Sequence, residues 1–139
     1  MTNQYSALSL MLGRSLIGAL FLISGLAKIG RFAGVAGFMA SKGLPVADVL
    51  LVATIALEVV GGLALIVGWR VRYVALALMV FTGLAAMIFH AFWAAEDAVY
   101  QNQLNHFLKN IAIMGGLFCL SAVGAGAWSL DGRRVSEEE

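Results

Sequence analysis

The 139-residue chain is long enough for one domain, and 61% of it is hydrophobic against 12% charged. A soluble domain carries about a quarter charged residues, so there is too little charge here to clothe a water-facing surface. The net charge of +1 excludes the strongly basic footprint of a nucleic-acid binder. The single cysteine, Cys119, excludes a disulfide framework, a Cys-x-x-Cys redox motif and a cysteine zinc site.

Crossing the hydrocarbon takes about 20 mostly apolar helical residues. Four windows qualify, near residues 8–29, 46–67, 71–92 and 103–123. The expected fold is therefore all-α, a polytopic membrane four-helix bundle occupying residues 1–134, followed by a polar acidic tail at 135–139. The first window is not read as a cleaved signal peptide, because Arg14 lies inside the apolar run rather than ahead of it. Between the first and second windows, Phe32, Val35 and Met39 recur at helical spacing. A short interfacial helix and a plain glycine-rich loop are both compatible with that stretch. Trp69 and Trp93 fall at window ends, where interfacial anchors sit, and Lys28 ends the first window in a position to reach the headgroups. Gly61-Gly62-Leu63 echoes Gly115-Gly116-Leu117, too short a match to mark a duplication. The segment from Trp128 to Glu139 reads as dispensable for folding, because Asp131 to Glu139 is polar with no apolar face to dock; deleting Ser136 to Glu139 is expected to change nothing, while Trp128 itself reads as an interfacial anchor.

Four windows place both termini on one side, with Arg70, Arg72, Arg133 and Arg134 against Lys28, Arg31 and Lys42 opposite. The positive-inside rule then favours both termini in the cytoplasm, by one residue.

Ionisable residues inside a membrane are costly, about 2.5–3.5 kcal/mol near the centre, and mark partners or function. Arg14 and Glu58 lie roughly 9 and 13 Å in from the same side, counted at about 1.5 Å per helical residue. They are the expected buried ion pair. His90, His106, Lys109 and Asn110 gather toward the opposite side, the last three sharing a helical face by their spacing. Arg14, Glu58, His90, His106, Lys109 and Asn110 are thus the candidate intramembrane polar site. Glu58 reads either as a working carboxylate or as a structural counter-ion, and His90 either as functional or as an interfacial histidine bonded to backbone. Two histidines raise haem or metal ligation. No further histidine or thiolate cluster supports it, and no metal site is expected.

Arg14, Phe21, Ser24, Gly25 and Lys28 are followed by Gly43-x-Pro45, Glu58, Gly61, Gly62 and Gly68-Trp69-Arg70. His90-Ala91-Phe92-Trp93, Phe107-Leu108-Lys109-Asn110, Gly115-Gly116 and Gly124-Ala125-Gly126-Ala127-Trp128-Ser129-Leu130-Asp131 complete the series. In order and spacing, from about Leu8 to Arg134, this resembles the DoxX family of bacterial four-helix membrane proteins. The resemblance implies a multi-pass inner-membrane protein. The family takes its name from a membrane component linked to thiosulfate:quinone oxidoreduction, so the resemblance admits a quinone, while the residues themselves assign no cofactor. The implied role is an accessory or quinone-linked membrane subunit with a soluble oxidoreductase partner. A homo-oligomer, a small transporter or ion pathway, and a non-catalytic assembly protein are the competing readings.

Overall fold

The structure is a computed structural model describing residues 4–137, with side chains through Arg133. The last two residues of the acidic tail, 138–139, lie outside the described residues. In chain order the helices are α1 (Gln4–Gly30), α2 (Phe32–Ser41), α3 (Ala47–Val67), α4 (Val71–Phe89), α5 (Asp97–Val123) and α6 (Leu130–Glu137), with a 3-10 turn at Phe92–Ala94. α1, α3, α4 and α5 are each long and apolar enough to cross a membrane, so the chain is an all-α four-helix membrane bundle.

The helices overrun or undershoot their apolar windows. α1 begins at Gln4 rather than Leu8, α5 at Asp97 rather than Gln103, and α4 stops at Phe89 rather than Phe92. Polar residues such as Gln101, Asn102 and Gln103 continue a helix past the hydrocarbon without adding to its hydropathy. Asp97 in the first turn also suits the positive end of the α5 dipole.

α1 packs along α3, and α4 along α5. The first pairing rests on glycine. A Cβ on Gly18 would lie 2.6 Å from the Gly62 carbonyl oxygen, and one on Gly62 would lie 2.6 Å from that of Gly18. Backbones meet there because no side chain intervenes. Such approach drives helix association in lipid, where apolar burial alone does not. Phe21, Leu65, Leu78, Leu117 and Leu120 fill the centre of the bundle.

Of the two expectations for the stretch after α1, the helix holds. α2 buries Ala36 and Met39 against Leu51, with Ile55 and Phe89 packed around them, so it closes one end of the bundle.

At the other end lie the start of α1, the α3–α4 turn and the end of α5; this is the terminal face. Gly68 ends α3 at φ +75, with its own N–H and that of Trp69 both donating to the Ala64 carbonyl. The chain after α5 folds back over this face. The Asp131 carboxylate accepts from the Arg70 N–H at 2.8 Å and the Val71 N–H at 3.0 Å, and the Asp131 N–H donates to the Gly68 carbonyl at 3.0 Å. Asp131 therefore satisfies two orphan donors at the start of α4. It also holds Arg70 in the left-handed region, φ +47. The expectation that Asp131 to Glu139 has nothing with which to dock is corrected here at Asp131. A polar segment can dock through capping bonds without an apolar face.

Candidate functional site

A half-open cavity of about 330 Å³ lies between α1, α2, α3, α4 and α5. Its walls are largely apolar, with Phe21, Phe38, Phe81 and Phe89 presenting rings, and Ser24, Lys28, Glu58, Thr82, His90 and Asn110 supplying polar groups.

Glu58 anchors the polar side. It is buried at 3% exposure near the middle of α3. Lys28 Nζ donates to both of its carboxylate oxygens, at 2.9 and 2.8 Å, and Ser24 Oγ donates to one of them at 3.0 Å. Lys28 Nζ also lies 2.7 Å from Ser24 Oγ. Ser24 and Lys28 are four residues apart on α1 and so lie one above the other on the face turned to α3. A Cβ on Gly25 would lie 3.1 Å from the Glu58 Cβ, so glycine there lets α1 approach close beside the carboxylate.

This overturns the expected Arg14–Glu58 pair. Glu58 pairs with Lys28, and the Arg14 guanidinium instead donates to backbone carbonyls of Leu65, at 2.8 Å, Ile66 and Trp128. Depth along the helix was a poor guide because it ignores side-chain direction. Helical side chains lean toward their own N-terminus. Arg14 therefore leans toward the terminal face, and Glu58, on an antiparallel helix, leans the opposite way. Lys28, at the far end of α1, leans inward to meet it. Lys28 is thus no headgroup anchor, and its side chain keeps only 25% exposure.

The remaining candidates divide. His90 and Asn110 line the cavity. The His90 Nδ1 lies 3.1 Å from Gln103 Oε1, and its ring stacks on His106 with centroids 4.9 Å apart. His106 and Lys109 are exposed on the outside of α5. The expected common face of His106, Lys109 and Asn110 is therefore split. Lys109 and Asn110 are neighbours in sequence, about 100° apart around a helix, so one turns out as the other turns in. Trp69 and Trp93 sit half-exposed in the turns at opposite ends of the bundle, Trp69 beside Arg70 and Trp93 against Phe92 and Phe107.

Sequence reasoning missed three contributors. Ser24 carried a signal in its four-residue spacing from Lys28. Thr82 carried no signal, and its hydroxyl donates to the Leu78 carbonyl at 2.7 Å while the residue lines the cavity. Val35, Phe38 and Met39 make α2 a wall of the cavity, which no motif announced.

Comparison with known proteins places this geometry in a family. Residues 9–91, spanning α1, α2, α3 and α4, match the DoxX family model. The chain is 33% identical over 125 residues to the inner membrane protein YphA of Escherichia coli (strain K12), covering 89% of each chain. It is 38% identical over 121 residues to the inner membrane protein YqjF of the same organism, covering 87% of this chain and 88% of the relative. No solved structure matches. With one family model across most of the bundle and relatives matched over nearly their whole length, the chain belongs to the DoxX family.

Proposed function

We propose that this protein is an accessory membrane subunit that holds a quinone headgroup in the cavity and serves a soluble oxidoreductase partner. The observation that carries the reading is the convergence of Glu58, Lys28, His90 and Asn110 on an otherwise apolar, ring-lined cavity inside the bilayer. Ligand sites for small apolar molecules have this composition, with few polar groups that fix orientation.

The residues fit a quinone. Its flat ring suits the phenylalanine walls, and its two carbonyl oxygens need donors. The Asn110 amide has no hydrogen-bond partner among the described residues, so it is available to one oxygen. His90, with its Nδ1–H turned to Gln103 Oε1, keeps the other ring nitrogen as an acceptor, suited to a hydroxyl of the reduced headgroup rather than to a quinone carbonyl. The Lys28–Glu58 pair is neutral as a unit, which favours an uncharged headgroup over an anionic one. A bound quinone supplies electron-carrying chemistry; this chain's residues bind and orient it.

The names of YphA and YqjF support an inner-membrane location for this chain as well. Orientation with both termini in the cytoplasm gains support from Lys28. Its ammonium is spent on Glu58, leaving Arg31 and Lys42 to oppose Arg70, Arg72, Arg133 and Arg134.

Purification in mild detergent, followed by solvent extraction and chromatography of the extract, tests the reading. Quinone close to one per chain is expected from the wild type, with little from Asn110→Leu. Equal traces from both would contradict it. A co-purifying soluble oxidoreductase would extend it to the partner.

A further inference from the structure

The cavity beside Glu58 is open on one side, and the seam between α1 and α5 shows where. As the first and fourth spans, these two helices are antiparallel. At Ile17 and Gly116 they touch, since a Cβ on Gly116 would lie 3.0 Å from Ile17 Cδ1. One turn further from the terminal face, Leu20 and Ile113 line the cavity instead, and beyond them Ser24 and Asn110 do. Leu20 also keeps 44% exposure, so one side chain borders both the cavity and the outside of the bundle. We propose, resting on the quinone reading above, that the cavity opens sideways into the bilayer between Leu20 and Ile113, and that the hydrocarbon tail of a membrane-dissolved quinone runs out through this slit.

Depth decides what lies outside the slit. Leu20 is roughly 18 Å along α1 from Leu8, counted at about 1.5 Å per helical residue. In a hydrocarbon layer about 30 Å thick that is near the middle, where there is no water. The nearer end of the bundle is covered instead. There α2 packs Met39 against Leu51, and the Phe38 and Phe89 rings lie 5.7 Å apart. A molecule arriving from water meets α2, whereas one dissolved in the bilayer meets the slit.

Polarity and volume agree with that route. From mid-membrane toward α2 the walls change from Leu20 and Ile113, to Ser24 and Asn110, to Lys28 and His90. A ring headgroup finds polar partners at one end, and an alkyl chain finds apolar walls at the other. Sites for small molecules span about 300–1,000 Å³. At about 330 Å³ this cavity takes a headgroup without a long tail, so the rest of the molecule must leave. It leaves at little cost, because lipid chains are as apolar as the slit.

Equilibrium binding to the full-length protein in nanodiscs tests the slit with two probes, dimethoxymethylbenzoquinone with and without a decyl tail. Leu20→Trp fills the slit from a half-exposed position. It should weaken Kd for the tailed probe about tenfold and leave the tailless probe within about twofold of the wild type. Ile113→Trp, on the other lip, should do the same. Val80→Trp, exposed on the outer side of α4, should bind both probes as the wild type does. Asn110→Leu should weaken both alike, since both carry the same ring. Equal effects of the two lip substitutions on both probes, or no effect on either, would overturn the slit and leave the quinone site standing. Failure of the wild type to bind either probe saturably would overturn the slit and the quinone site together.

Discussion

The Lys28 ammonium lies 2.8 Å from the Glu58 carboxylate and joins the far end of α1 to the middle of α3. Each residue leans toward its own helix N-terminus, and because the helices are antiparallel the two meet. Breaking a buried pair from one side commonly costs about 3–5 kcal/mol. Lys28 keeps 25% of its side chain exposed, so Glu58→Gln and Lys28→Met should each fall toward the lower end of that range. The double substitution should recover a good part of the loss. A double-mutant cycle on detergent-solubilised protein measures the coupling, and the same cycle for Arg14→Gln with Glu58→Gln should come out additive within about 0.5 kcal/mol.

The four spans were legible because length and apolarity alone report them. Glu58 and Arg14 were legible as buried charges because the bilayer makes any interior charge conspicuous. Their partners were not, since partnership depends on side-chain direction and on which helices touch. Arg14 found carbonyls at the end of α3 and in the Trp128 segment, contacts that span 51 to 114 residues of sequence. Asn110 and Lys109 were separable by helical phase, but only once α5 had been docked on α4. The role of α2 depended on tertiary packing against Leu51, which a weakly amphipathic ten-residue segment does not reveal.

Asp131 caps α4 across the terminal face. Replacing it with alanine should cost about 1–2 kcal/mol, the range for losing a side-chain cap at a helix start. Asp131→Asn retains one acceptor and should cost less. Thermal unfolding of the three proteins at one detergent concentration checks the order, and an unchanged Tm in Asp131→Ala would show that the returning segment adds nothing to α4.

The glycine crossing predicts a sharp contrast between positions. Gly62→Ala would set a methyl group 2.6 Å from the Gly18 carbonyl oxygen and 2.7 Å from the Leu22 nitrogen, both backbone atoms that cannot swing aside. Folded yield should drop severely as α1 and α3 separate. Gly13→Ala and Gly115→Ala meet nothing within 4 Å, and helix propensity alone should stabilise each by up to about 1 kcal/mol. Size-exclusion profiles and Tm of the three variants make the comparison.

The account centres on the cavity between the Lys28–Glu58 pair and Asn110 as a site for a neutral, ring-shaped headgroup. Equilibrium binding of a radiolabelled short-chain benzoquinone to the protein in nanodiscs tests that claim most directly, with empty nanodiscs subtracted. The wild type should bind saturably, and Asn110→Leu should weaken Kd about tenfold, the loss expected for one hydrogen bond to the ligand. Lys109→Leu, on the outside of α5, should bind as the wild type does. Uptake that never saturates, or saturates identically in wild type and Asn110→Leu, would contradict the assignment.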